Sequence, residues 1–235
     1  MKVSEERFLD IIEAPRERLE LDVELESESG EIGQKWLIER TGDLETLWEQ
    51  MGEDEFGEDE RIPYWGEIWP ASILLGRWLL RRKADIQGKL CLDIGCGLGL
   101  TGIIGSSVGA RVVAFDYEWP AVYFASENTR LNNVPPVLWA CMDWREPAFG
   151  NQQFDFMWAG DVFYEKRFFE PLEKLLRNHL TPDGVVWIGE PVRTVSRDVW
   201  AELAELGWKT ELLTTEYVSC GGQRPEVNLR QLSRR

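Results

Sequence analysis

The sequence predicts an α/β protein with a doubly wound, seven-stranded and mostly parallel sheet, which an antiparallel pair of C-terminal strands closes at one edge. Three observations predict this fold. Short apolar runs alternate with helical patterns from about residue 70 to residue 206, as in parallel strands joined by helical crossovers. A glycine-rich turn, "DIGCGLGLTG", joins one such run to the helix that follows it. Finally, two strand patterns follow one another at the C-terminus without an intervening helix.

Each predicted element follows from its apolar pattern and from the residues that end it. Pro70 lies in the first turn of a helix that reaches about residue 83, because proline is tolerated at that position. The elements that follow are strand 89 to 95, helix 99 to 108, strand 111 to 116, helix 120 to 132, strands 136 to 143 and 154 to 161, helix 166 to 180, strand 184 to 190 and helix 195 to 206. Strands 208 to 219 and 226 to 235 complete the chain, joined by a loop that contains Gly221, Gly222 and Pro225.

The N-terminal quarter is strongly acidic. The chain of 235 residues has a net charge of −16, and residues 1 to 60 hold 21 of its 42 acidic residues but only 6 of its 26 basic ones. "RLELDVELE" alternates apolar and acidic residues and predicts a strand that "QKWLIER" can join as a hairpin, while residues 43 to 50 predict a short helix. We therefore expect an acidic N-terminal extension, residues 1 to 60, before a main domain, residues 61 to 235. This extension is interpreted either as a solvated arm or as an attractor of a basic partner.

Several classes of function are disfavoured. The acidic charge and the lack of a basic stripe argue against a nucleic-acid partner, and the lack of a long apolar run argues against a membrane segment. No signal peptide is recognisable, so a soluble, cytoplasmic protein is expected. The four cysteines lack a C-x-x-C pair and are expected to be buried thiols rather than disulfides or metal ligands. His179, the only histidine, is expected to have a surface or capping role rather than a catalytic one.

The glycine-rich turn predicts a nucleotide-type ligand. Gly97, Gly99 and Gly102 match G-x-G-x-x-G, a pattern that also occurs in dinucleotide-binding proteins. Asp93 precedes these glycines at the end of a strand, where its charge would repel a pyrophosphate and attract a sulfonium or ammonium group. S-adenosylmethionine is therefore favoured over NAD or FAD, which would also require a sizeable substrate domain.

Two later strands end in acidic residues with further binding potential. Asp116 ends its strand seventeen residues after Gly99, where an acid can accept hydrogen bonds from ribose hydroxyls or cap the next helix. Asp143 and Trp144 end the following strand. The carboxylate can accept a bond from the adenine amino group and the indole can stack on the base, although Trp144 is also compatible with a place in the core.

From about residue 60 onwards the chain resembles the class I, seven-β-strand methyltransferases that use S-adenosylmethionine, and within them the family 16 lysine-methyltransferase-like branch. The resemblance rests on "YWGEIWPAS", "LDIGCGLGLTG", "FD", "MDW" and "GDVFY". It implies a Rossmann-like domain. It also implies that the cofactor is lined by Trp69, Gly95, Cys96, Gly97, Asp116, Trp144 and Gly160. In the resembling enzymes the segment with Trp65 and Trp69 forms a pocket wall; the alternative is that both indoles pack the first helix on the sheet.

The resemblance also identifies candidate catalytic residues. In "GDVFY", Asp161 and Tyr164 correspond to a D-x-x-Y motif that lies beside the transferred methyl group. The alternative roles are a loop cap for Asp161 and a core aromatic residue for Tyr164. The predicted activity is N-methylation of a lysine on a protein substrate, with a possible preference for basic proteins. Two alternatives remain at this stage: methylation of a small amine or N-heterocycle, and a cofactor-binding interaction module without turnover. The oligomeric state is not predicted.

Overall fold

A computed structural model describes residues 11 to 23, 34 to 42, 63 to 192 and 194 to 234. Within these ranges an N-terminal hairpin pairs β1 with β2, and seven further strands form the main sheet. The strands are β1 Arg16–Val23, β2 Gln34–Thr41, β3 Leu90–Ile94, β4 Arg111–Asp116, β5 Leu138–Cys141, β6 Phe154–Gly160, β7 Leu180–Pro191, β8 Trp208–Tyr217 and β9 Glu226–Arg234. The helices are α1 Pro70–Arg81, α2 Lys83–Ile86, α3 Leu100–Ser107, α4 Trp119–Leu131, α5 Phe169–His179 and α6 Thr194–Glu205.

The main sheet confirms the predicted fold class. Its strand order is β5-β4-β3-β6-β7-β9-β8, and the pairs among β3 to β7 are parallel. Strand β9 is antiparallel to both β7 and β8, so the C-terminal pair closes one edge as expected. The chain leaves β3 towards β4 on one side and later adds β6 on the other. Their carboxyl ends therefore flank a crevice of the kind that binds ligands in open α/β sheets.

Several boundaries differ from the predicted ones for local reasons. The first predicted helix divides at Arg82, whose φ of −99° and ψ of 19° are not helical, into α1 and α2. Strand β7 begins at Leu180 instead of residue 184, because the "TPDG" segment stays extended beside β6 across a register shift. Helix α5 begins at Phe169 after a single 3-10 turn, Lys166–Phe168.

Two predictions about single side chains were wrong. His179 is buried, 4% exposed, instead of lying at the surface, and its Nδ1 is 2.9 Å from the Gly150 carbonyl oxygen. All four cysteines are free, as expected, but Cys141 is exposed while Cys91 and Cys96 are buried. The short strand β5 lies at the open edge of the sheet, and this position leaves Cys141 without cover.

The predicted hairpin forms and shares a core with the main domain. Strands β1 and β2 are antiparallel, with Leu19 opposite Ile38. Val23, Trp36 and Ile38 are fully buried and belong to the same apolar cluster as α1 and α3. The boundary expected near residue 60 therefore does not separate two cores. The predicted helix 43 to 50 and the linker 52 to 61 lie outside the described residues.

A single buried side chain joins the hairpin to the glycine-rich turn. Asn128 of α4 is completely buried, and its Nδ2 donates to the carbonyls of Glu39 and Leu98, both at 3.0 Å. Its Oδ1 accepts from the Glu39 backbone N–H at 2.7 Å. One turn later, Asn132 forms a similar pair of bonds with the Leu37 backbone, at 2.9 and 2.7 Å. The side-chain amides of Asn128 and Asn132 thus pair with backbone N–H and C=O groups on the outer edge of β2, which would otherwise be unpaired.

Asp93 lies behind the glycine-rich turn. It is 1% exposed at the end of β3, and its Oδ2 accepts a 2.7 Å hydrogen bond from the Thr101 hydroxyl of α3. Burial, together with the nearby charge of Asp116, raises the pKa of this carboxyl to about 7, although the hydrogen bond from Thr101 opposes the increase. A β carbon at Gly102 would lie 3.1 Å from the same Oδ2, so helix α3 approaches the acid closely.

Replacing Asn128 with alanine should lower the free energy of unfolding by about 2–3 kcal/mol, because three buried backbone groups lose their partner. Urea denaturation of the full chain measures this change. Glu127→Ala is the matched control, since Glu127 forms only an ion pair with Arg130 on the same helix, within reach of solvent. That control should cost about 0.5 kcal/mol or less. Equal losses in the two variants would contradict a role for Asn128 in joining hairpin and domain.

Asp93→Asn should change how stability depends on pH. The carboxyl has a higher pKa in the folded protein than in the unfolded chain, so its contribution to stability is lost as the pH rises from about 4 to about 7. The free energy of unfolding of the variant, relative to that of the unmodified protein, should therefore increase over this range by about 2–4 kcal/mol. Denaturation at several pH values tests this, and two parallel pH profiles would contradict it.

Candidate active site

A cavity of about 510 Å³ opens at the carboxyl ends of β3, β4 and β6, within the size range of small-molecule sites. It contains parts of all the motifs that the sequence singled out. The predicted residues that line it are Trp65, Trp69, Gly95, Cys96, Gly97, Asp116, Asp143, Trp144, Gly160, Asp161 and Tyr164. Residues that are almost 100 positions apart thus converge on one site.

The glycine-rich turn forms the floor of this cavity. Gly95, Gly97 and Gly99 have φ angles of 64°, 49° and 88°, a left-handed conformation that favours glycine. A β carbon at Gly95 would lie 3.3 Å from Val162 and 3.8 Å from Trp144, so it would narrow the space between these two side chains. The absence of side chains here keeps the floor open to a ligand.

Asp116 links the turn to the next strand. Its Oδ2 accepts a 2.8 Å hydrogen bond from the Gly97 N–H, and its Oδ1 accepts one of 3.0 Å from the Glu118 N–H. Burial raises the pKa of this carboxyl above its ordinary value, although the backbone donors oppose the increase. Each oxygen keeps further acceptor capacity and Asp116 lines the cavity, an arrangement that suits binding of a pair of ribose hydroxyls.

The segment after β5 forms one side of the cavity. Trp144 lines it and packs edge-on against Phe168, with ring centroids 5.0 Å apart. Asp143 is held by its neighbour, because Arg145 Nε lies 2.8 and 3.0 Å from its two oxygens. Burial opposes ionisation of Asp143, but the hydrogen bonds and charge of Arg145 lower its pKa overall. Asp143 is thus an ionised acceptor with a fixed orientation.

Aromatic side chains form the opposite side. Trp69 donates its indole N–H to the Tyr64 carbonyl at 2.9 Å, and Tyr64 packs edge-on against both Trp69 and Tyr164. Trp65 lines the cavity but is only 8% exposed, and its ring stacks on Phe124 at 6.1 Å. Trp65 therefore borders the cavity and also packs on α4, and this contact differs from the considered alternative, in which the indole packs the first helix on the sheet.

The two candidate catalytic residues follow β6. Asp161 has a φ of 54°, an uncommon conformation for a residue other than glycine, and its N–H donates to the Gly189 carbonyl at 2.7 Å. Tyr164 packs on Tyr64 and on Phe168. Burial raises the pKa of Tyr164 well above its ordinary value, so its hydroxyl stays protonated near neutral pH. Both side chains line the cavity.

Two predicted cofactor residues do not line the cavity. Asp93 is directed to Thr101 behind the turn, so the expected direct contact with the ligand is wrong for its side chain. Gly99 is buried as well. A β carbon there would lie 2.7 Å from Ala125 and 2.8 Å from Trp139, so this glycine is required for the packing of α3 rather than for ligand access.

Other cavity residues were missed by the sequence reasoning. Tyr64 and Ser72 flank the predicted tryptophans, and Arg145 and Arg167 contribute the cationic groups. Tyr64 lies inside the quoted "YWGEIWPAS" motif, so its place beside Trp65 was an available signal. The two arginines belong to none of the motifs that the sequence analysis used. In the described part of the chain, no cluster of three or more acidic, histidine or cysteine side chains has the arrangement of a metal site.

The charge of the cavity is acidic. Six acids border it, Glu67, Asp116, Glu118, Asp143, Asp161 and Glu165, against two arginines. Both arginines contact acids from that set, because Arg145 pairs with Asp143 and Arg167 with Glu165, each at 2.7 Å. The open floor, the acceptor pair of Asp116, the aromatic Trp144 and the acidic surroundings fit a cationic adenosyl ligand.

Comparison with known proteins agrees with this chemistry. A relative from Mus musculus, the electron transfer flavoprotein beta subunit lysine methyltransferase, is 35% identical over 137 residues, 56% of this chain and 51% of the relative. The histidine protein methyltransferase 1 homolog of Dictyostelium discoideum is 30% identical over 127 residues, 52% of this chain and 41% of the relative. The chain thus spans about half the length of these two curated relatives.

A solved structure has the same fold. The magnesium protoporphyrin IX methyltransferase of Synechocystis, determined with bound S-adenosylmethionine, superposes with a TM-score of 0.54 at 18% identity, covering 69% of this chain and 77% of that one. The family profile described as lysine methyltransferase matches residues 53 to 206. The family match agrees with the predicted methyltransferase class. The chain belongs to the lysine methyltransferase family.

Proposed function

We propose that this protein transfers the methyl group of S-adenosylmethionine to the side-chain nitrogen of a lysine on a protein substrate. The observation that carries the proposal is the convergence of two groups on one cavity: the glycine turn with Asp116, and the D-x-x-Y pair Asp161 and Tyr164. Asp116, Trp144 and the backbone of Gly95 to Gly97 would hold the cofactor. When bound, it supplies an electrophilic methyl group on a positively charged sulfur.

The acidic cavity supports a cationic acceptor. A lysine reaches the site as an ammonium ion, and the acids at the mouth attract it. It must lose a proton before its nitrogen can attack, which costs roughly 4–5 kcal/mol at pH 7 from a reference pKa near 10.4. Aromatic surroundings reduce the hydration of the ammonium, and the loss of hydration lowers its pKa. Tyr64 and Tyr164 provide such surroundings beside Asp161.

Asp161 and Tyr164 have complementary roles in this proposal. The Asp161 carboxylate accepts hydrogen bonds from the acceptor amine and orients its lone pair, while the protonated Tyr164 hydroxyl contributes a second polar contact. Alignment of the nucleophile is then the main contribution of the protein, and the released proton passes to water. The substrate is proposed to be a protein because the relatives named above act on proteins. A basic substrate segment is consistent with the acidic charge of the chain.

No described helix combines the length and the apolar character needed to cross a membrane. A nucleic-acid acceptor is disfavoured, since the phosphate backbone would meet the acids that border the cavity.

Methyl-labelled S-adenosylmethionine tests the acceptor class directly. After incubation of the protein with a cell lysate, the label should appear in the macromolecular fraction, resist nuclease, and be recovered as methyl-lysine after acid hydrolysis. Label in the dialysable fraction would identify a small amine as the acceptor. Recovery of methyl-histidine or methyl-arginine would show that the acceptor side chain is histidine or arginine instead of lysine. The complete absence of transfer would contradict the proposed function.

Asp161→Ala and Tyr164→Phe should reduce methyl transfer much more than cofactor affinity. We expect kcat to fall by about 10²-fold or more, because each change removes a group that orients the amine. The Kd for S-adenosylmethionine, measured by calorimetry, should change by less than about threefold, a difference well under 1.4 kcal/mol. Exposed residues supply the controls Asp183→Ala and Tyr217→Phe. Parallel losses in turnover and affinity would contradict the roles given to Asp161 and Tyr164.

A further inference from the structure

The aromatic wall of the cavity has little regular structure of its own. Between Pro63 and the start of α1 it contains one 3-10 turn, Tyr64–Gly66, and then extended backbone at Glu67 and Trp69. Its internal hydrogen bonds are local: the Gly66 and Glu67 N–H groups donate to the Pro63 and Tyr64 carbonyls at 3.1 and 3.3 Å, and Trp69 Nε1 donates to the Tyr64 carbonyl. A segment of this kind depends on neighbouring elements for a fixed position.

Arg40 of β2 supplies contacts to this wall. Its guanidinium forms an ion pair with Glu67, and its Nη1 lies 3.5 Å from the Gly66 carbonyl oxygen. The other side of the same group is bound by Glu17 of β1, at 2.8 Å from Nη2 and 2.9 Å from Nε. Arg40 therefore bridges the hairpin and the cavity wall, and Glu67 itself lines the cavity.

The environment makes this bridge stronger than an ordinary surface pair. The Arg40 side chain is only 16% exposed, while its partners Glu17 and Glu67 are 48% and 43% exposed. By contrast, the Lys35 to Glu20 pair on the same hairpin joins side chains that are 59% and 60% exposed. Solvent screens exposed pairs, which contribute little, whereas a partly buried guanidinium with several acceptors fixes its partners in position. The planar fork of arginine allows it to bind both acids at once, which a lysine ammonium does less well.

The hairpin also contacts the floor of the cavity through Asn128. That side chain joins the Glu39 backbone, adjacent to Arg40, to the Leu98 carbonyl in the glycine-rich turn. The aromatic wall and the floor meet where a β carbon on Gly97 would lie 3.4 Å from the Trp65 carbonyl oxygen. The consecutive residues Glu39 and Arg40 of β2 are therefore linked to the floor and to the wall, respectively.

We propose that Arg40 is a positioning residue that holds the Tyr64 to Trp69 wall in place through Glu67 and Gly66. The acidic N-terminal hairpin is thereby part of the structure that forms the cofactor site. The ligand named in this inference rests on the proposed function. The positioning of the wall does not, because it concerns contacts within the chain. One readout without cofactor and one with cofactor can therefore test it.

The variants are Arg40→Met, which keeps the length of the side chain and removes its charge, and Arg40→Lys, which keeps the charge without the fork. Lys35→Met is the matched control on the same hairpin. All three are made in the full chain, and thermal unfolding is recorded for each. If Arg40→Met does not fold, Arg40→Lys carries the test, with an intermediate effect expected.

Limited chymotrypsin digestion provides the readout without cofactor, because this protease cleaves after aromatic residues. Cleavage after Tyr64 or Trp65, identified from fragment masses, should be at least severalfold faster in Arg40→Met than in the unmodified protein. Lys35→Met should match the unmodified protein. Equal cleavage in Arg40→Met and Lys35→Met would overturn the inference, whatever the protein methylates.

Calorimetry with S-adenosylmethionine gives the second readout. Arg40→Met should raise Kd by about tenfold, Arg40→Lys by less, and Lys35→Met by no more than about twofold. In the background of Glu67→Gln, the further effect of Arg40→Met should fall below about threefold, because the two residues act through one contact. Additive effects would overturn the assignment. A lack of binding by the unmodified protein would instead refute the proposed function and leave the proteolysis result to decide this inference.

Discussion

The site depends on one constraint, the left-handed turn between β3 and α3 that only glycines adopt without strain. Gly95 and Gly97 turn the backbone so that the Gly97 N–H reaches Asp116 on the neighbouring strand at 2.8 Å. This bond connects the carboxyl ends of β3 and β4, and Gly95 and Gly97 leave the floor of the cavity open between them. Asp116, the aromatic wall and the candidate catalytic pair border the same cavity.

Around this turn the protein uses its charges in two different ways. The Asp93 side chain does not line the cavity and accepts a hydrogen bond from Thr101. Because its pKa is raised, its ionisation near neutral pH destabilises the folded protein. Asp116 and Asp161 instead border the cavity and give it an acidic character. A cationic donor and a cationic acceptor can thus approach the same cleft, while a diphosphate would be repelled by the acids that border it.

The sequence predicted the fold well because each element carried a local signal. Apolar strands, the glycine turn and Pro70 locate the sheet and α1 to within a few residues, and nearly all predicted site residues meet in one cavity. What it did not predict are contacts between distant segments. The burial of Trp36, the bridge made by Asn128 and the reach of Arg40 to Glu67 depend on how the hairpin docks, and no local pattern specifies this. Asp93 had the correct position along the strand, but its side chain points behind the turn.

The central claim is that this turn, with Asp116, forms a site for a sulfonium nucleoside rather than for a dinucleotide. Isothermal titration of the full chain tests it most directly, with S-adenosylmethionine, its demethylated product and NAD as separate ligands. The account predicts measurable heat with the first two and none with NAD. Tight binding of NAD or FAD together with no heat from S-adenosylmethionine or its product would contradict it.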